Sequence, residues 1–409
     1  MDQRGLVIHE HRITVPLDHD HPGDGPGETL EVFARVVAAP DGGDRPYLLF
    51  LQGGPGQEAP RPVHDPATPG WLPRALADYR VVMLDQRGTG LSTPYGGPGP
   101  DPAADAARLT HLRADSIVRD AECLREHLGA ERWSVLGQSF GGFCVLHYLS
   151  TAAGSLTEAF VTGGLSPVGR RPEDVYAATW EVQLALDARY HRQFPGDRDR
   201  LARLLDRCDA GEVLTPAGHP VSRRLMRTVG NALGMDGGAE KVHHLLERDH
   251  RSPAFRHDLA AAFPFQARNP LYALVHESSY ADGHPTSWAA HRTAPAEATA
   301  PDSLVLSGEH LFPWHFTDDA ALAPWREVAD LLADHPWPRL YDADALRTAD
   351  VPVAAAVYAD DPFVVRGFSE ETAALLPRGR TWLTNEYLHN GLRDPRVLDR
   401  LIDLTRGRA

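Results

Sequence analysis

Through the first third of the chain, continuous apolar runs alternate with glycine-rich or polar clusters. "PYLLFLQGGPG" (Pro46 to Gly56), "YRVVMLDQRGTG" (Tyr79 to Gly90), "RWSVLGQS" (Arg132 to Ser139) and "EAFVTGGLSP" (Glu158 to Pro167) all follow this form. A strand covered on both faces shows continuous rather than alternating hydrophobicity, so these runs predict buried parallel strands. Between the second and third, Ile117, Ala121, Leu124 and Leu128 recur at helical spacing, and Gly129 follows as a C-cap. Strand, crossover helix and strand together predict an α/β fold.

The pattern then changes. From about Val168 to Thr348 it is mostly helical and rich in His, Arg and aromatics, as in "PEDVYAATWEVQLALDARYHRQF" and "PWREVADLLADH". Afterwards "VPVAAAVYADDPFV" (Val351 to Val364) and "RTWLTNEYLHNGL" (Arg380 to Leu392) resume strand-then-polar-loop segments, and "PRVLDRLIDLT" closes the chain with a helix. The economical division is an α/β core from 1–167 and 349–409, interrupted by a mainly helical insertion at 168–348. "STPYGGPGPDPAADA" (Ser92 to Ala106) reads as a Pro/Gly-rich surface loop.

Composition narrows the partners. The 409 residues carry 41 Lys+Arg against 56 Asp+Glu, a net charge of -15, which repels polyanions and argues against nucleic acid. Cys123, Cys144 and Cys208 are too scattered for a disulfide framework or a paired metal-ligand motif. The N-terminal stretch lacks a signal-peptide pattern and no apolar run reaches bilayer length, so the expectation is a cytoplasmic protein without a membrane partner.

The chemistry centres on "SVLGQSFGG" (Ser134 to Gly142), where a serine stands between glycines as a strand gives way to a helix. A strained strand-to-helix elbow needs such small flanks to thrust a hydroxyl into the open, which makes Ser139 a candidate nucleophile. The following helix N-terminus would aim amide dipoles at the reacting centre. A serine needs a base and an orienting acid, and elbow architecture places the acid before the histidine along the chain. His389 follows one late strand; Asp360 and Asp361 both follow the strand before it, and one of the two can serve. "QGGPG" (Gln52 to Gly56) suits an oxyanion loop because glycines let backbone N–H groups approach a reacting oxygen. A dinucleotide-binding reading of "MLDQRGTGLS" fails, since Thr93 replaces the third glycine and Pro94, Gly96, Gly97 and Pro98 forbid the helix. "HEH" and "HDH" near the N-terminus are isolated and read as solvated, so no metal is expected.

Together "LQGGPG", "DQRGTGLS", "GQSFGG", "AAVYADDPFV" and "WLTNEYLHNGL" resemble the proline iminopeptidases of the α/β-hydrolase superfamily. "TVPLDHDHPG", "NPLYALVHESSYADG" and "SGEHLFPWHF" extend the resemblance over nearly the whole chain, closest to longer bacterial members with an enlarged cap. The resemblance implies an α/β-hydrolase fold with a helical cap, Ser139 as nucleophile, Asp361 as acid, His389 as base, and the N–H groups of Phe140 and Gly54 as oxyanion donors. Tyr358 stands where shorter members have glycine, which leaves Asp360 as a second candidate acid, and Gln52 stands where many have histidine. No cofactor is implied.

Such enzymes bind the free ammonium of a short peptide, and a buried cation needs a carboxylate nearby. Glu277 and Glu309 occupy the places that the resemblance assigns to this task, with Tyr280, Phe312 and Trp314 as aromatic walls for a pyrrolidine ring. The reading is therefore a serine aminopeptidase preferring N-terminal proline. The rivals are an esterase using the same residues on another acyl group, and a silent binding protein retaining the scaffold.

Overall fold

Nine strands form one mixed sheet in the computed structural model, which describes residues 2–3, 5–21 and 28–408. They are β1 (Asp2–Gln3), β2 (Leu6–Pro16), β3 (Thr29–Ala38), β4 (Tyr47–Leu51), β5 (Arg80–Asp85), β6 (Trp133–Gln138), β7 (Leu156–Thr162), β8 (Val353–Tyr358) and β9 (Gly379–Thr384). The spatial order is β1-β2-β3-β5-β4-β6-β7-β8-β9. From β5 to β9 every neighbouring pair is parallel, whereas β1, β2, β3 and β5 pair antiparallel. The chain has the expected α/β-hydrolase fold.

The antiparallel end was not among the expected elements. Leu30, Val32, Ala34 and Val36 on β3 are buried, and so are Phe33, Val37 and Ala38, so only its first residues alternate between core and solvent. A search for continuous apolar runs passes over this strand because Glu31 and Arg35 interrupt it. The segment "TVPLDHDHPG" enters this region, and its Pro22 and Gly23 lie outside the described residues.

The central strands are dry because helices cover both faces. The helix Phe140–Thr151 is buried almost all round, from Phe140 through Leu149, so its sequence carries no polar stripe. On the opposite face, Val397, Leu398, Leu401 and Ile402 of the helix Pro395–Thr405 pack with Trp71, Leu72 and Ala75. The predicted crossover is the helix Ala114–His127, and Gly129 beyond it takes a left-handed φ of 66°.

Between Thr162 and Val353 the sheet gains no strand among the described residues. Helices at Pro172–Gln193, Asp197–Asp209, Gly238–Leu246 and Pro253–Ala262 share an apolar cluster containing Leu186, Leu201, Leu205, Val229 and Phe255. The expected loop at Ser92–Ala106 needs correction, because a helix begins at Pro102 and runs to Thr110. Asp101 accepts hydrogen bonds from the N–H groups of Ala103 and Ala104, and proline at the first helical position has no N–H to lose.

Candidate active site

β6 ends at Gln138 and the helix Phe140–Thr151 starts two residues later, leaving Ser139 alone at the corner. Its backbone sits at φ 53° and ψ -123°, a conformation that a non-glycine residue rarely adopts and that costs on the order of 1–3 kcal/mol. The corner closes this tightly because its neighbours lack side chains. A β-carbon on Gly141 would overlap the Leu51 carbonyl, and one on Gly142 would stand 2.5 Å from the Gly164 oxygen.

His389 and Asp361 complete a hydrogen-bonded chain. The Ser139 hydroxyl donates to His389 Nε2 at 2.8 Å, and His389 Nδ1 donates to Asp361 Oδ2 at 2.7 Å. The other Asp361 oxygen accepts from the N–H groups of Phe363 at 2.9 Å and Val364 at 3.0 Å, so the carboxylate is held by its own loop after β8. Asp361 is 1% exposed, and His389 is buried as well. Burial works against the imidazolium, but the Asp361 carboxylate outweighs it and raises the His389 pKa above its usual value. Asp360 points elsewhere: it pairs with Arg189 at 2.8 Å, and both side chains are about half exposed.

The loop bearing His389 is clamped by the insertion. The His389 N–H donates to the Gly234 carbonyl at 3.1 Å, the Leu388 N–H to Asp236 Oδ1 at 2.9 Å, and the Asp236 N–H to Asn390 Oδ1 at 2.8 Å. Residues at the turn between two helical segments, distant in sequence, thus fix the base, a contact for which the sequence held no local signal.

"QGGPG" runs beside the elbow. A β-carbon on Gly53 would come within 2.9 Å of Ser139 Cβ, and Gly54 takes a φ of 48°. The "DQRGTG" stretch braces this loop. Asp85, fully buried, accepts from the N–H groups of Ala59 and Leu91 and pairs with Arg61 at 3.3 Å. Arg87 grips Asp120 through two hydrogen bonds, at 2.7 and 2.6 Å, and also donates to the carbonyls of Leu17 and His111. His19 joins them at 2.8 Å from Asp120, so the "HDH" histidine expected to be solvated is instead packed against a buried ion pair.

Ser139 and His389 open into a cleft of about 1050 Å³ that also receives Gln52, Gly53, Gly54, Tyr272 and Glu309. Glu309 is 16% exposed, with His276 Nε2 at 3.8 Å. Burial pushes its pKa up to about 8, with His389 pulling it down and Asp361 pushing it further up. A carboxyl in this state gains from any cation that enters beside it.

Glu277 is not in the cleft. It is 5% exposed, and its Oε1 accepts from the Ala290 N–H at 2.9 Å, at the start of the short helix Ala289–Arg292. Burial raises its pKa to about 7 despite that bond. Its carboxylate serves an orphan helix N–H, whereas Glu309 faces the cleft. Tyr280 donates to the Phe363 carbonyl, and Phe312 stacks on Trp314, while Phe50, Trp71, Phe263 and Tyr272 line the cleft.

Residues 46–210 match the family described as alpha/beta hydrolase fold. The chain is 42% identical over 98% of its length, and 97% of the relative's, to a proline iminopeptidase of Aeromonas sobria. It is 31% identical to the proline iminopeptidase aneH of Aspergillus aculeatus, covering 94% of this chain and 90% of that one. With relatives matched from end to end, this chain belongs to the proline iminopeptidase family of α/β hydrolases.

Proposed function

We propose that this protein is a serine aminopeptidase that releases the N-terminal residue, preferentially proline, from short peptides. The observation that carries the reading is the unbroken chain Ser139–His389–Asp361 opening into the same cleft as Glu309. Asp361 holds the proton on His389 Nδ1, which leaves the Nε2 lone pair facing Ser139. Ser139 Oγ attacks the scissile carbonyl as its proton passes to Nε2. The N–H groups of Phe140, in the first helical turn, and of Gly54 stabilise the oxyanion. His389 returns the proton to the departing amine, and water, activated by the same imidazole, frees the amino acid from Ser139.

Glu309 receives the substrate's ammonium, and that binding shifts its equilibrium towards the carboxylate. Residues 168–348 act as the cap that closes this cleft, with 1–167 and 349–409 as the core. Short peptides with a free N-terminus are the partners, and no cofactor takes part. No helix among the described residues is long and apolar enough to cross a membrane. Three free cysteines suit a reducing compartment, and we place the protein in the cytoplasm.

The test is hydrolysis of prolyl-β-naphthylamide against its N-acetylated form and against other aminoacyl-naphthylamides. The free prolyl substrate is expected to be cleaved fastest and the acetylated one not at all. Equal cleavage of both would overturn the aminopeptidase reading in favour of an esterase-like hydrolase.

A further inference from the structure

The cleft is larger than the release of one residue requires. Its volume of about 1050 Å³ stands at the upper end of the ~300–1,000 Å³ usual for a small-molecule site. The charges on its walls are unevenly placed. Glu309, nearly enclosed, shares the cleft with Ser139 and His389. The exposed walls are basic: Lys241, His244 and Arg248 follow each other at helical spacing on the face that begins with the helix Gly238–Leu246, and Arg393 lies just past His389.

Arg248 is neutralised by Asp258 at 2.7 Å. Lys241 and Arg393 have no carboxylate within ion-pair distance among the described residues. Lys241 is the only lysine in a chain of net charge -15. Both cations are registered to the base, since Arg393 follows it by four residues and the Gly234–Asp236 segment preceding the lysine's helix is bonded to the His389 loop.

We infer that Lys241 and Arg393 form a subsite for the C-terminal carboxylate of an oligopeptide substrate. The inference rests on the aminopeptidase reading and extends it. A short peptide is a zwitterion, with its ammonium and its carboxylate at opposite ends of the scissile bond. Glu309 beside the nucleophile and two uncompensated cations at the exposed walls repeat that order. In a protein that otherwise repels anions, the pair selects chains whose carboxylate comes within reach, and longer chains carry it out of the cleft.

The experiment compares Pro-Gly, Pro-Gly-Gly and Pro-Gly-Gly-Gly as free acids and as C-terminal amides. Each kcat/KM is taken relative to that of prolyl-β-naphthylamide with the same enzyme variant. The unsubstituted enzyme is expected to favour the acid over the amide at one or more lengths. Lys241→Ala and Arg393→Ala should each shrink that preference by about 2- to 5-fold, the range of a solvent-exposed ion pair, mainly through KM. Lys241→Arg should retain it, and Lys241→Glu should favour the amide. An acid-to-amide ratio of one in the unsubstituted enzyme, or a ratio unmoved by both alanine variants, would overturn the subsite. Failure to cleave prolyl-β-naphthylamide at all would instead overturn the aminopeptidase reading, and the subsite with it.

Discussion

Ser139 Oγ and His389 Nε2 stand 2.8 Å apart although 250 positions separate them in the chain. Ser139 follows a strand before the helical insertion and His389 a strand after it, so the bond brings together groups from the two halves of the chain that the β7–β8 pairing already joins into one sheet. Removing the hydroxyl tests its chemical meaning. Ser139→Ala should lower kcat by about 10⁴-fold or more while circular dichroism stays unchanged, because the side chain faces the cleft and supports no packing. Retained turnover by rigorously purified variant protein would place the nucleophile elsewhere.

Asp360 and Asp361 are neighbours in sequence and opposites in environment. Asp361 is buried and accepts from His389 and two backbone N–H groups, whereas Asp360 makes an exposed pair with Arg189. Asp361→Asn should cost about 10³–10⁴-fold in kcat by upsetting the imidazole's tautomer. Asp360→Asn should change activity by less than about twofold and stability by less than ~1 kcal/mol. Steady-state kinetics on the two variants decides, and the reverse ranking would reassign the acid.

The two glutamates should separate by substrate. Glu309→Gln is expected to lower kcat/KM for prolyl peptides by on the order of 2–5 kcal/mol in transition-state stabilisation, since the substrate cation loses its partner. Hydrolysis of p-nitrophenyl acetate, which has no ammonium, should fall far less. Glu277→Ala should act on the fold, costing about 1–3 kcal/mol as the buried Ala290 N–H loses its acceptor. Parallel urea titrations and assays on both substrates distinguish the two roles.

Acid–base behaviour follows from two raised pKa values. His389 must be neutral to accept a proton, so activity towards any acyl substrate should rise with pH through a value above 6.5. Prolyl peptides should show a second rise near pH 8, where free Glu309 ionises, and p-nitrophenyl acetate should lack it.

The same carboxyl links activity to stability. Its folded pKa of about 8 lies above the ordinary 4.5, so the folded state holds the proton more tightly. Between those values the unfolded chain binds fewer protons, and stability falls as pH rises. Glu309→Gln should remove this contribution, leaving the variant with a higher Tm than the unsubstituted protein at pH 8 and a smaller difference at pH 5. Calorimetry at the two pH values checks the sign.

The local features of this protein were legible in its sequence wherever one short segment both forms an element and supplies its chemistry. Ser139 between its glycines, the dry strand Val353–Tyr358 that leads to Asp361, and the glycine loop at Gly53 and Gly54 are of that kind. The reason is covalent: an elbow needs missing β-carbons at fixed offsets, and a dry strand needs uninterrupted apolar residues, so the requirement is written into consecutive positions. The antiparallel strand Thr29–Ala38 was less plainly written, since Glu31 and Arg35 interrupt its apolar residues although Phe33, Val37 and Ala38 are buried.

What only the tertiary structure decided concerns groups whose partners lie far along the chain. Glu277 and Glu309 look alike in sequence, each set among aromatics, yet one caps Ala290 and the other shares the cleft with Ser139. Asp85 and Arg87 read as a stray glycine motif until the fold sets them against Ala59 and Asp120. The clamp from Gly234 and Asp236 onto the His389 loop has no trace in either segment. A carboxylate's role depends on which donor stands within about 3 Å and how much water is excluded, and both are properties of packing between segments rather than of residue order.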